Sequence, residues 1–291
     1  MKGKLIIMSL LLLAGCRATE QRQEQSVESS STIILESQAS NEEKRMDNVR
    51  RATTDYTTYA QPNEEGFAYY IHDDPDVSSE VMPLDENSSP NVVLFTFDDV
   101  PRLPDSHIIR MAETLKAKDV NAIFLANGMY LLSEEGRDLL KRVHEMGFEI
   151  GNHTQTHPNL RELTYEEQYA EIEETNRLIY EITGEKVRWF RPPFGKFNFD
   201  TIHICNELDL QLMAWSFGYD WMDEYQEGTA LAEISLDNVY LHSGANILMH
   251  DLPWTADALD RLIDGYRKQG YHIVDPYLII RQENSTEPLA P

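Results

Sequence analysis

From residue 91 onward, short apolar runs rich in β-formers alternate with longer stretches whose apolar positions recur at helical spacing. That alternation is the pattern of parallel βα units, in which buried strands feed crossover helices that cover the sheet. It predicts strands at Val92–Phe97, Val120–Leu125, Phe148–Gly151, Val187–Phe190, Leu210–Trp215, Ala245–His250 and Tyr271–Val274. The clearest helix opens on the capping box Thr164-Tyr165-Glu166-Glu167, carries Ile172, Ile179 and Ile182 along one side and stops at Gly184. Two more run from Ser133 to Gly147 and from Thr255 to Gly270, each with a Ser/Thr start and a Gly stop, and a short one spans Asp200 to Asn206.

Upstream the pattern is different. Lys2 and Lys4 precede an apolar run, Leu5 to Leu13, that is too short to cross ~30 Å of hydrocarbon, so residues 1–15 read as a signal peptide and the chain as exported. The run Leu13-Ala14-Gly15-Cys16 resembles the bacterial lipobox. That resemblance implies diacylation of Cys16 and a lipoprotein held on the membrane, facing the extracytoplasmic side. Residues 16–62 are polar and thin in apolar side chains, which predicts a flexible tether. Residues 63–90 are transitional, with Phe67, Tyr69, Tyr70 and Ile71 able to pack on a domain expected at 91–282, and 283–291 form a tail.

Charge and cysteine content narrow the partners. The chain has 25 basic and 50 acidic residues, a net charge of −25; loss of Lys2 and Lys4 with the leader leaves 23 against 50, or −27. Nucleic acid is excluded as an expected partner, and localisation falls to the lipid rather than to a basic patch. With Cys16 lipidated, Cys205 has no disulfide partner and is expected to be a buried small hydrophobe.

Against the predicted strands, Asp98-Asp99, His153 with His157, Arg191, Asp220-Trp221 and His250-Asp251 each fall at or just past a strand's C-terminal end. That edge is where parallel α/β barrels build active sites. His153 and His157 are four apart, so one helical turn or a tight loop brings both imidazoles to one metal, with a carboxylate as third ligand. Two adjacent acids at a strand end repel unless a cation or an arginine stabilises them. The remaining histidines, His72, His107, His144, His203, His242 and His272, have no such constellation. Asn152-His153-Thr154 fits a glycosylation sequon, but a glycan there would block the metal, and the match is read as coincidence.

Thr96-Phe97-Asp98-Asp99, His153 to His157, Arg191-Pro192-Pro193-Phe194-Gly195, Asp220-Trp221 and Leu248-Met249-His250 occur in that order. Together they resemble the five motifs of the polysaccharide deacetylase family, carbohydrate esterase family four, over about residues 91 to 276. The resemblance implies an α/β fold, a distorted (β/α) barrel of about seven parallel strands. It implies Asp99, His153 and His157 as metal ligands, Asp98 as general base with Arg191 beside it, His250 as general acid and Asp220 as the group orienting it. It further implies that the Phe194 backbone N–H faces the oxyanion and that Leu248 lines a pocket for the acetyl methyl; Trp221, an aromatic near the cleft, is a candidate substrate contact. The expected cofactor is a divalent metal, Zn²⁺ by the ligand set, with Co²⁺, Ni²⁺ and Mn²⁺ compatible with it.

The sequence departs from the family at two places. Val100-Pro101-Arg102-Leu103-Pro104 stands where Gly-Pro usually follows the acid pair, and Trp215-Ser216-Phe217-Gly218-Tyr219-Asp220-Trp221 is a residue short and lacks the usual first Asp. Trp215, Phe217, Tyr219, Trp221, Tyr225 and Trp254 are the aromatics available to stack on sugar rings, half of them expected to be core. The activity implied is N-deacetylation of N-acetylglucosamine in an envelope polysaccharide, peptidoglycan first. The same chemistry on an exopolysaccharide, N-acetylmuramic acid or an O-acetylated sugar, or a non-catalytic glycan-binding lipoprotein, stays open.

Overall fold

The computed structural model describes residues 68–72 and 79–281, all within one compact unit, Ala52–Pro291. The signal peptide, Cys16, the tether and the C-terminal tail expected from the sequence lie outside the described residues. Seven strands form one sheet: β3 (Val92–Val100), β4 (Ile123–Ala126), β5 (Glu149–Asn152), β6 (Trp189–Phe190), β7 (Gln211–Leu212), β8 (Ala245–His250) and β9 (His272–Ile273). Their order is β7-β6-β5-β4-β3-β8, with β9 against the first residues of β3, and every pairing is parallel. The sheet curls into the partial barrel expected from the sequence. Beyond β7 the chain turns across toward β8: Ser216 N–H donates to the Asn246 carbonyl at 2.7 Å, and Leu248 N–H to the Phe217 carbonyl at 2.9 Å. The predicted strand at Leu210–Trp215 is therefore cut to two residues, because its second half leaves β6.

Alternation along the strands sorts the core into two layers. Val93, Phe95, Phe97 and Val100 of β3, with Phe124 and Ala126 of β4, share a cluster with the helices. Val92, Leu94, Ile123, Leu125, Trp189 and Met213, pointing the other way, form a second cluster inside the curl. A small sheet closes the floor of that cluster: β1 (Tyr69–Ile71) pairs antiparallel with β2 (Val81–Pro83) and parallel with β10 (Ile279–Ile280). Tyr69, Ile71, Val81 and Ile279 are buried there, so the segment read as transitional supplies floor packing. Beside that cluster lie buried polar groups: Thr96 and Asp98 on β3, Asn246 near the start of β8 and Arg191 just past β6.

Among the described residues six helices cover the outer face: α1 (Ile108–Ala117), α2 (Glu134–Glu145), α3 (Tyr165–Thr183), α4 (Phe199–Glu207), α5 (Gly228–Leu236) and α6 (Pro253–Lys268). α3 has its capping box: Glu167 N–H donates to Thr164 Oγ1 at 3.3 Å and Thr164 N–H to the Glu167 carboxylate at 2.8 Å, while Gly184 ends it at φ 76°. α6 starts two residues before the expected Thr255, with Pro253 in its first turn. Thr255 is not a cap; its hydroxyl donates to Asp220 Oδ2 at 2.8 Å.

Candidate active site

A β-bulge at the end of β3 turns two consecutive carboxylates toward the lumen. The register with β4 shifts between Phe97 and Val100, both of which face the helices. Asp98 and Asp99 occupy the irregularity between them, with Asp99 at φ 59°, a conformation that a non-glycine residue holds only when its surroundings impose it. Strict alternation would have sent one of the pair outward.

Asp98 is 2% exposed and is met by Arg191, which is fully buried. Arg191 Nη1 donates to Asp98 Oδ1 at 2.7 Å and to Thr96 Oγ1 at 2.8 Å; Nη2 donates to the Ala214 carbonyl at 2.9 Å and to Asn246 Oδ1 at 3.0 Å. A buried charge pair survives when its remaining donors are satisfied, and only Nε lacks a partner among the described residues. Thr96 and Asn246 were missed in the sequence. The signal was there: both lie two residues from a candidate lumen position, Asp98 and Leu248, on the same strand.

The histidine pair sits in a loop, not a helical turn. His153 follows β5 and its Nδ1 lies 2.7 Å from the Arg191 carbonyl oxygen. A carbonyl only accepts, so Nδ1 donates there and the ring is turned to bring Nε2 into the site, 3.6 Å from Asp98 Oδ2. Thr154 and His157 both have positive φ, 66° and 60°, and the tight turn is tied by a bond from His157 N–H to Thr154 Oγ1 at 3.1 Å. His157 Nε2 lies 3.7 Å from Asp99 Oδ1. Burial and the neighbouring His153 lower the His157 pKa, favouring the neutral ligand form. Burial pushes the Asp99 carboxyl up, but His153, His157 and His250 and a hydrogen bond from Asn127 outweigh it and hold it below its usual value. One donor atom each from Asp99, His153 and His157 falls within a mutual 4.8 Å. A carboxylate and two imidazoles, one oriented through its second nitrogen, fit a divalent cation.

On the other wall, Asp220 is fully buried and bound to His250 twice: its Oδ1 is 2.8 Å from His250 Nδ1, and its Oδ2 accepts the His250 backbone N–H at 2.6 Å. The Thr255 hydroxyl completes the carboxylate, and Trp254 Nε1 donates to the Asp220 carbonyl at 2.6 Å. Burial disfavours the imidazolium, yet Asp220, then Asp98 and Asp99, override it and raise the His250 pKa to about 9. The next residue, Asp251, points away from the lumen and accepts from Arg102 N–H at 2.8 Å, His107 N–H at 2.6 Å and the Ser106 hydroxyl at 2.5 Å.

Asp98, Asp99, His153, His157 and His250 line one cavity of about 390 Å³, together with Pro192, Phe194, Trp215, Trp221 and Leu248. Phe194 is 62% exposed at φ 57° and sets its ring edge on His157, while Trp221 sets its edge on His250. Phe217 is core, and Tyr219, Tyr225 and Trp254 pack against it. Cys205 and Asn152 are buried, the Asn152 amide donating to the Ile172 carbonyl and to Asn176, so the sequon asparagine is inaccessible. A larger cavity, about 500 Å³, opens at the opposite end of the sheet beside Lys116, Asp119, Arg267 and Asp275 and contains none of this chemistry.

Residues 85–213 match the family model described as polysaccharide deacetylase. Asp220 and His250 fall beyond that stretch. The peptidoglycan-N-acetylmuramic acid deacetylase PdaA of Bacillus subtilis is 29% identical over 227 residues, covering 73% of this chain and 84% of that protein. The peptidoglycan-N-acetylglucosamine deacetylase PgdA of Listeria monocytogenes is 31% identical over 184 residues, covering 62% of this chain but only 37% of that protein. Among solved structures, a variant of a CE4 family pseudoenzyme from Bacillus anthracis, described as having restored enzymatic activity, superposes with a TM-score of 0.58 at 32% identity, covering 64% of this chain and 66% of that one.

Proposed function

Because the chain belongs to the polysaccharide deacetylase family, as the family model and the relatives together support, we propose that it hydrolyses N-acetyl groups from N-acetylglucosamine residues of a bacterial envelope polysaccharide, peptidoglycan first. One observation carries this: a buried carboxylate paired with Arg191 and an imidazole held by Asp220 line the same cavity as the Asp99, His153 and His157 cluster. Fold alone is insufficient, since a relative with this architecture is a pseudoenzyme.

Asp99, His153 and His157 would hold a divalent cation, zinc by the ligand set, which when bound would supply Lewis acidity toward the acetyl carbonyl and lower the pKa of water. Asp98 accepts the proton of the attacking water as its oxygen bonds to the acetyl carbon. Arg191 pairs with Asp98 through a 2.7 Å contact and fixes its direction. The Phe194 backbone N–H serves the oxyanion. His250, kept as imidazolium by Asp220, gives its proton to the sugar nitrogen as the C–N bond breaks, and acetate leaves. Leu248 and Trp221 line the place of the acetyl methyl.

The catalytic domain is assigned to 91–282, with the floor strands β1 and β2 docked on it. None of the described helices is long and apolar enough to cross a membrane, and the proposed extracytoplasmic attachment rests on a lipid at Cys16. The test is acetate release from N-acetylglucosamine oligomers and from peptidoglycan, with zinc, after chelation and after zinc is restored. Release that stops and returns with the metal supports the reading; silence on every N-acetylated glycan, with metal bound, contradicts it.

A further inference from the structure

The turn that carries His153 and His157 takes its shape from α3, a helix that contributes no residue to the cavity. Asn152 opens the turn fully buried. Its amide nitrogen donates to the Ile172 carbonyl and to Asn176 Oδ1, both at 2.8 Å, and its Oδ1 accepts the Thr154 N–H at 2.7 Å. Gly128 N–H donates to the Thr154 carbonyl at 2.9 Å. Gln155 accepts the hydroxyl of buried Thr175 at 3.1 Å, against the Gly128 backbone, where a Cβ would fall 2.0 Å from Gln155 Oε1. Thr156 is held by Glu171 twice: its N–H donates to Oε2 at 2.8 Å and its hydroxyl to Oε1 at 2.6 Å. Each residue between the two histidines is therefore tied, and Glu171, Ile172, Thr175 and Asn176 supply the ties from one face of α3.

We propose that Glu171 is a positioning residue for the metal site: by holding both donors of Thr156 it keeps the turn in the shape that presents His153 and His157 together, and so sets the affinity for the divalent cation. The inference rests on the metal site of the proposed function and is independent of the substrate. Thr154 and His157, at φ 66° and 60°, stand in a region that non-glycine residues leave unless their surroundings hold them there. A turn free to leave it would have to be ordered each time a cation binds, and that cost would fall on the affinity. Glu171 holds the residue directly before His157, so its grip acts at the far ligand, whereas Asn152 fixes the near one. The adjacent carboxylates of α3 are used differently, Glu174 and Glu181 pairing with Arg177. The grip is made of hydrogen bonds and does not need the charge. Glutamine can still accept the Thr156 N–H and offer its amide N–H to the Thr156 oxygen; alanine can do neither.

The experiment measures zinc affinity of the full chain by competition with a chromophoric chelator, for the wild type, Glu171→Ala, Glu171→Gln and Glu174→Ala. Glu174→Ala removes the same charge from the same helix without touching the turn. Glu171→Ala is expected to bind zinc ~10-fold or more weakly than the wild type, Glu171→Gln to recover most of that loss, and Glu174→Ala to bind as the wild type does. Recovery by glutamine is the readout that a charge effect would not give. Should Glu171→Ala fail to fold, Thr156→Val removes the hydroxyl contact alone, and a smaller loss in the same direction is expected of it. Wild-type affinity in Glu171→Ala or, in its place, in Thr156→Val overturns the inference, as does a glutamine variant no better than alanine or an equal loss in Glu174→Ala. A wild type that binds no zinc overturns the metal site and the inference with it; zinc binding that Glu171→Ala fully retains overturns the inference alone.

Discussion

Asp98 and His250 are register partners across the parallel pair β3–β8, so their side chains leave the sheet on the same face, side by side. The two groups assigned to opposite proton transfers thus stand on adjacent strands instead of on loops. Each has its own buried companion, Arg191 for the carboxylate and Asp220 for the imidazole. The companions suit the two groups to different tasks: Arg191 orients the Asp98 carboxylate as a proton acceptor, and Asp220 favours the protonated form of His250 as a donor.

The pH dependence follows from His250. Its pKa, raised to about 9 from an ordinary 6.5, keeps the donor charged at neutral pH, and acetate release should fall as pH rises through about 9. Asp220→Asn removes the strongest of the interactions that raise it, so the alkaline limb of the kcat profile should move toward 6.5. The same linkage acts on stability. A raised folded-state pKa contributes stability that is fully present below about 6.5 and is lost as pH climbs through about 9. An alkaline limb that stays in place in Asp220→Asn would show that Asp220 does not set the donor.

Arg191 is expected to be structural as well as catalytic. Replacing it with Met leaves Asp98 buried beside Thr96 and Asn246 without its cation, a change that costs roughly 3–5 kcal/mol when a buried pair is broken on one side. Urea unfolding should show that loss, and the double variant Arg191→Met with Asp98→Asn should recover part of it. A double variant as unstable as the sum of the two singles would mean that the pair is not coupled.

Asp251 should act on the segment it holds. Asp251→Ala strands the N–H groups of Arg102 and His107 and the Ser106 hydroxyl, at ~1–3 kcal/mol for partners left unsatisfied. Amide hydrogen exchange over residues 101–107 should accelerate, while that of β4 and β5 keeps its protection. Uniform acceleration across the sheet would instead make Asp251 a general core residue.

The strands were legible where alternation and burial agree. Ala245–His250 emerges with its predicted bounds because both its faces are buried, and α3 because its capping box and Gly184 punctuate it. Other features depend on contacts far apart in sequence. The bulge that turns Asp99 inward is set by pairing with β4, and β7 stops early because Ser216 and Phe217 pair with β8. Thr255 looked like a helix cap and is instead held by Asp220, thirty-five residues away. α1 lacks a side-chain cap and α5 is capped by Glu227, so neither start follows the usual Ser/Thr/Asp signal. The floor strands β1, β2 and β10 are two or three residues long, too short for any period to show. The sequence did bring Asp98, Asp99, His153, His157, Arg191, Asp220 and His250 to strand ends, and the geometry gathers them; the Asn127, Thr96 and Asn246 partners needed the pairing.

The central claim is that Asp98 and His250 perform separate proton transfers beside a metal site that neither of them builds. The direct measurement is acetate release from an N-acetylated glycan by Asp98→Asn and by His250→Asn, with zinc stoichiometry determined on the same samples. Each variant is expected to lose roughly 10²–10⁴-fold in kcat while binding zinc as the wild type does. Near wild-type turnover in either variant, with zinc still bound, would contradict the account.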